Sequence, residues 1–123
     1  MNMAKFQAIC PMIWTKEIKE TIDFYINILG FTCDEYNQDW AWASPHNDEA
    51  EIMVALPNKH ASFEKSIFTG SFCFNVDKVD ELWDDLKGKC KICCEIENFD
   101  WNRREFAIYD NNGYVLQFGT AIA

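Results

Sequence analysis

Basic residues are scarce in this chain. Eleven Lys and Arg stand against 20 Asp and Glu in 123 residues, a formal net charge of -9. Phosphate binding needs positive charge, so no nucleic-acid partner is expected, and anionic membrane surfaces repel such a chain. Long apolar runs are missing as well: none approaches the ~18 residues of a membrane span. Met1 to Ala8 has no apolar stretch behind Lys5, so no secretory signal is expected there. The five glycines are scattered at the ends of expected elements, which leaves no glycine-rich phosphate loop. Histidine is almost absent. His46 and His60 both fall in expected loops, and no Ser-His-Asp arrangement is visible.

What remains is ordinary in amount and unusual in kind. Hydrophobic residues make up 49% and charged residues 25%, values of a folded domain rather than a disordered one. The length suits one domain, residues 1–123, with a real core. Aromatics reach 15%, with five Trp, more than a core of this size usually holds. Six cysteines occur without other signs of secretion, so reduced thiols and a cytoplasmic location are expected.

Two segments have helical period. Ile18, Ile22, Tyr25, Ile26 and Leu29 share one helix face, with Thr15 placed to cap the start and Gly30 to end it. Val79, Leu82, Trp83 and Leu86 repeat the pattern, with Asp77 as the expected N-cap, Asp80 in the first turn and Gly88 at the end. Trp83, on the apolar face, is assigned to the core. The remainder reads as strands: Ala8–Trp14, Phe31–Tyr36, Trp40–Ala43, Glu49–Leu56, Gly70–Val76, Lys91–Glu97, Arg103–Tyr109 and Gly113–Phe118. Turns at Ser44–Asp48 and Asp110–Gly113 and a loop from Leu56 to Thr69 separate them. Strand, helix and three strands thus occur twice, in modules of about 6–57 and 69–120. Residue identity supports a repeat: Cys33 and Cys94, Asp39 and Asp100, Trp40 and Trp101, and Ile18 and Val79 all differ by 61. The offset slips after Trp101, as a hairpin loop of different length requires.

Three segments carry a family resemblance. Thr21-Ile22-Asp23-Phe24-Tyr25 leads into Leu29-Gly30-Phe31; Phe72-Cys73-Phe74-Asn75-Val76-Asp77 opens the second module; and Phe106-Ala107-Ile108-Tyr109-Asp110-Asn111-Asn112-Gly113 runs on to Gln117-Phe118. In order and spacing they resemble the glyoxalase/bleomycin-resistance/dioxygenase superfamily, the vicinal oxygen chelate proteins, with Asn111 where the family usually has Pro. The resemblance implies an α+β fold of two βαβββ modules whose sheets form an incomplete barrel around a cleft, helices outside, and a homodimer. It also implies four metal-ligand positions, which fall near Cys10, Met53, Ser71 and Gln117. The family usually has His, Glu or Gln there. Divalent metals want imidazole, carboxylate or thiolate. Ser71 and Met53 are poor donors, Cys10 would serve only as a thiolate, and Gln117 is neutral, so no metal and no cofactor are expected.

With that register, strand alternation sorts the faces. Cys10, Met12 and Trp14, then Glu51, Met53 and Ala55, then Ser71, Cys73 and Asn75, and finally Val115, Gln117 and Gly119 fall on the cleft side. Ile52, Val54 and Leu56, Phe72, Phe74 and Val76, and Tyr114, Leu116 and Phe118 fall on the helix side. Arg103, Glu105, Ala107 and Tyr109 also face the cleft. Arg103 and Glu105 are read either as a buried pair that orients a ligand or as a solvated rim pair. Trp40 and Trp42 share a face and are assigned to core, dimer contact or ligand stacking alike. Trp101 belongs at the cleft mouth. Cys90, Cys93 and Cys94 lack the partners of a zinc site and the helix N-terminus of a thioredoxin-like pair; alternation sends Cys94 toward the core with Ile92 and Ile96.

Two functions follow. The first is a metal-free binding protein, similar to bleomycin-resistance members, that sequesters a cationic or aromatic small molecule in a dimeric cleft. The second is a glyoxalase-type lyase or isomerase, or a dioxygenase, with a divergent metal site. Cys10, Gln117 and either Glu51 or Glu105 would then be ligands, with the other Glu as general base. A partner-binding domain with a vestigial cleft is a third reading.

Overall fold

The computed structural model describes residues 4–37, 41–59 and 61–122. Trp40 and His60, both singled out above, lie outside them. The first module runs β1 (Met12–Trp14), α1 (Ile18–Asn27), β2 (Tyr36–Asn37), β3 (Trp42–Ala43), a small hairpin of β4 (His46–Asn47) and β5 (Ala50–Glu51), and β6 (Met53–Ala55). The second runs β7 (Phe72–Asn75), α2 (Val79–Leu86), β8 (Ile92–Phe99), β9 (Arg103–Tyr109) and β10 (Val115–Ala121).

The repeat is structural. One sheet has the order β1-β6-β3-β2 and the other β7-β10-β9-β8, so each places its first strand beside its last. That first–last pair is parallel in both sheets and the other pairs are antiparallel. The two helices begin at Ile18 and Val79, 61 residues apart. Met12 pairs with Met53 and Cys73 with Gln117, which makes the second module three residues longer between those positions. Neither helix is long and apolar enough to cross a membrane.

The helices cover one face of the sheets and enclose a shared core. Ile18 and Tyr25 of α1 and Val79 and Leu86 of α2 are buried with Ile13, Val54, Phe106, Ile108, Leu116 and Phe118. Much of the aromatic content is used here. Phe118 stacks on Phe74 and Phe106 at 5.1 and 5.2 Å, Trp83 lies 5.2 Å from Phe106, and Phe31 bridges Tyr25 and Phe74. Trp83 therefore packs where its helical spacing puts it. Leu56, expected on this face, is 43% exposed, because β6 ends at Ala55 and the chain turns away toward the loop.

Polar contacts join the modules at one point. The buried Asp110 carboxylate accepts the Tyr25 hydroxyl from α1 at 2.8 Å through Oδ2, and the N–H groups of Asn112 and Tyr114 through Oδ1. Thr15 Oγ1 donates to Asn112 Oδ1, and Asn111 and Asn112 both donate to Thr21 Oγ1. Gly113, with φ 91°, closes the turn through its N–H to the Asp110 carbonyl at 3.1 Å, a geometry that suits glycine. Burial raises the Asp110 carboxyl above its ordinary range, and the hydrogen bonds from Tyr25 and the backbone oppose that only in part.

Local details differ from expectation. Thr15 accepts the Glu17 N–H and so precedes α1, whose N-cap is Glu17. Lys78, not Asp77, is the N-cap of α2, and Gly88 does not take a left-handed conformation. Gly30 does, at φ 74°, with its N–H bonded to the Ile26 carbonyl. His46, expected in a loop, pairs with Glu51 in the β4–β5 hairpin, and its Nε2 is 3.2 Å from Asp34 Oδ2.

Candidate functional site

The concave face of the second sheet is built from cross-strand rows. Cys73, Gln117, Ala107 and Cys94 form one row across β7, β10, β9 and β8; Asn75, Gly119, Glu105 and Glu97 form the next. Alternation puts the Phe and Leu neighbours of these residues under the helices and leaves this face mixed. Here a cavity of about 310 Å³ is lined by Ser71, Gln117, Glu105, Trp101, Phe99, Cys93, Cys94, Phe106, Ala107 and Val115.

Glu105 is the centre of its polar wall. It is 3% exposed, and its carboxylate accepts Arg103 Nε at 2.9 Å and Trp101 Nε1 at 3.1 Å. Arg103 Nη2 donates in turn to Asn75 Oδ1 at 2.9 Å. In this pair the Glu105 carboxylate is buried and the Arg103 side chain is 24% exposed. Burial alone would raise the Glu105 carboxyl; the hydrogen bonds from Arg103, Trp101 and Gln117, with the Arg103 charge, outweigh it and hold the group below its ordinary value. Across the cavity Ser71 Oγ donates to Gln117 Oε1 at 2.9 Å. Trp101 stands at the mouth, 60% exposed, stacked on Phe99 with centroids 4.6 Å apart and an interplanar angle of 14°.

Gly119 lets this wall close. A Cβ there would lie 2.7 Å from both Arg103 Nη2 and Glu105 Cγ. Glu105 is buried and tied by its hydrogen bonds, so it has little room to yield. Gly119→Ala is expected to lower stability by about 1–3 kcal/mol through overpacking, read as a lower Tm in thermal melting; an unchanged Tm would show that the pair repacks freely.

The other candidate residues lie on the first module. Trp14 and Trp42 flank Ala55 in one cross-strand row, so both Trp share the face opposite Val54. Neither is in the buried core cluster, and both are half-buried. Trp14 meets Phe63 edge-on at 6.2 Å and lines a groove of about 660 Å³ between β1 and the loop at 62–68. Met53 is half-buried beside Met12. Glu51 is exposed; it accepts a hydrogen bond from Ser44 Oγ, and this bond, then Cys10 and the nearby His46, lower its carboxyl. Tyr109, half-buried at the C-terminal end of β9, has Lys91 Nζ 5.2 Å from its ring centroid. None of Trp14, Trp42, Glu51 or Met53 lines the cavity around Gln117.

Phe99, Cys93 and Cys94 line the cavity without having been assigned to it. Phe99 is two residues before Trp101 on the same strand end, a spacing that could have marked it. Cys94 is a correction: it pairs with Ala107 beside Gln117, not with the core, because β8 is irregular between Ile92 and Cys94.

The four family ligand positions do not fit a divalent metal. Ser71 and Gln117 are hydrogen-bonded to each other, Met53 is a thioether, and burial with the neighbouring Glu51 pushes the Cys10 thiol above its usual range. The set supplies no carboxylate and no imidazole. Among the described residues no group of three or more His, Cys, Asp and Glu is placed to hold a metal ion.

Comparison of the sequence with curated proteins finds no match. Solved structures share the fold. A glyoxalase/bleomycin resistance protein/dioxygenase from Nocardioides superposes with TM-score 0.80 at 12% identity, covering 98% of this chain and 87% of that one. TioX from Micromonospora sp. ML1 gives 0.76 at 14%, covering 95% and 100%. Lactoylglutathione lyase from Agrobacterium tumefaciens gives 0.73 at 13%, covering 93% and 92%. The sequence profile of the Glyoxalase/Bleomycin resistance protein/Dioxygenase superfamily matches residues 7–118, nearly the whole of both modules, and the chain belongs to that superfamily.

Proposed function

We propose that this protein binds a small ring-bearing molecule and sequesters it without chemical turnover. The observation that carries this reading is the second-module cavity, which the stacked Phe99 and Trp101 line together with the polar side chains of Ser71 and Gln117. Aromatic walls with a few placed polar groups are what such sites present. The negative charge of Glu105 is met by Arg103, so attraction of a cationic ligand rests on the net charge of -9 rather than on this carboxylate. Ring stacking then decides affinity and ligand charge modulates it. The donor set at Cys10, Met53, Ser71 and Gln117 favours binding over metal-dependent lyase, isomerase or dioxygenase chemistry.

In this reading a second copy supplies the facing wall. The cavity is lined by the second module alone, while Trp14, Trp42 and Met53 stand on the sheet of the first and Glu51 on the hairpin beside it. A homodimer joins one face to the other, and sedimentation should report twice the 14.4 kDa of the chain.

Titration with copper-bleomycin, with proflavine as a cationic ring and with acridine as its less basic relative, followed by Trp fluorescence, tests the reading. At least one ligand should quench, and Trp101→Ala should weaken its binding by about tenfold, the scale of one lost stacking contact. No response at high micromolar concentrations of all three would overturn it.

A further inference from the structure

The pairing of β8 with β9 runs from Ile92–Ile108 to Cys94–Ala107 and then to Glu97–Glu105, with an irregularity in each interval. In the first, two residues of β8 oppose one of β9, which breaks the alternation of faces. Consecutive side chains of a regular strand leave by opposite faces. Here Cys93 and Cys94 line the same cavity. Cys94 sits beside Ala107, whose other neighbour is Gln117. Both thiols are free, and their Cα atoms are about 3.8 Å apart as in any trans dipeptide. Two free thiols, Cys93 exposed and Cys94 half-buried, therefore line one partly apolar space from adjacent backbone positions.

We propose that Cys93 and Cys94 form a two-thiol site for a soft metal cation of low coordination number, cuprous ion being the type. Thiolates select soft ions. With no third His, Cys, Asp or Glu placed alongside them among the described residues, the pair suits an ion satisfied by two sulfurs and not tetrahedral zinc. Phe99, Ala107 and Val115 keep the surroundings apolar, while Glu97 lies close enough to act electrostatically on the Cys94 thiol and so to favour a bound cation. Burial, then the charges of Glu97 and its neighbours, raises the Cys94 thiol above its usual range, so an incoming ion must displace a proton. The two-thiol site shares its cavity with the stacking wall of Phe99 and Trp101 but does not depend on the ring-binding reading, because its ligands are the two sulfurs and not the rings.

The test is anaerobic titration of the reduced full chain with cuprous ion buffered by bicinchoninate, whose coloured complex reports the metal left to the chelator. The native chain should withhold one ion that C93S and C94S each release with at least tenfold weaker affinity, and binding should tighten from pH 6 to pH 8. Cys90→Ser, whose thiol donates to the Leu86 carbonyl, and Cys73→Ser, at the far end of the sheet, should bind as the native chain does. Trp101→Ala should also retain the ion, which separates this site from ring binding. Far-UV circular dichroism of the C93S/C94S double variant verifies its fold. Native affinity in that folded variant, or equal losses in C90S or C73S, would overturn the proposal.

Discussion

Asp110→Ala is expected to cost about 3 kcal/mol or more in urea unfolding, since three donors lose their acceptor and each unsatisfied buried donor costs roughly 1–3 kcal/mol. The Tyr25 hydroxyl has no other hydrogen-bond partner among the described residues, and Tyr25 is fully buried. The N–H of Tyr114 is buried with it, while that of half-exposed Asn112 can recover water. Asp110→Asn makes the comparison sharp. Its carbonyl can still accept both N–H groups, and its amide can donate to the Tyr25 oxygen once that hydroxyl rotates, so about 1 kcal/mol is expected. The pH dependence has a definite sign. Because burial raises the Asp110 carboxyl in the folded state, the folded chain holds more protons between the ordinary carboxylate range and the raised value. Stability therefore falls as pH rises through that window and the penalty persists above it. The native protein should gain on Asp110→Asn as the solution is acidified. A loss below 1 kcal/mol for Asp110→Ala would show that water replaces the carboxylate and that this turn does not fasten the modules.

That junction shows why the fold was legible. The helix period around Tyr25 and the Asp110-Asn111-Asn112-Gly113 turn are local signals, and the 61-residue offset tied them to a repeat that the matching strand orders confirm. Strand ends were less legible. The first strand was read from Ala8 but begins at Met12, and Phe6 and Ile9, apolar enough to suggest a strand, are 91% and 90% exposed. Local hydrophobicity does not say whether a neighbouring strand is present to pair with.

The candidate site divides in the same way. Parity placed Ser71, Glu105, Ala107 and Gln117 on one concave face because β7, β9 and β10 pair without interruption. It failed for Cys94, since the extra residue between Ile92 and Cys94 shifts its pairing to Ala107 and a bulge leaves no mark in hydrophobic pattern; Ile96, beyond it, still packs against the core. The partner of Glu105 was nameable from its spacing to Arg103. Its bond from Trp101 was not, because that depends on how the turn at 100–102 folds back, with Asn102 at φ 61°.

The buried pair gives a prediction opposite in sign to that at Asp110. Glu105→Ala removes the acceptor of Arg103 Nε and Trp101 Nε1 together. Breaking a fully buried ion pair costs about 3–5 kcal/mol; the Arg103 side chain is 24% exposed and keeps Asn75, so about 2–3 kcal/mol is expected here. Glu105→Gln should fall between, because its amide can accept from one donor while its N–H₂ faces the other. Since the folded Glu105 carboxyl is held below its ordinary value, its stabilisation is complete above the ordinary carboxylate range and disappears as pH falls through the folded value. The gap between native and Glu105→Gln proteins should therefore close on acidification, whereas the native advantage over Asp110→Asn grows. Where the Gln carbonyl accepts from Arg103, its N–H₂ faces the Trp101 indole and that anchor is lost, so ring binding should weaken several-fold in Glu105→Gln even where the chain remains folded. An Arg103→Ala/Glu105→Ala double-mutant cycle measures the pair directly. Coupling of at least 1 kcal/mol is expected. Additive losses, with ligand affinity unchanged in Glu105→Gln, would show that the carboxylate neither holds Arg103 nor orients the stacking wall.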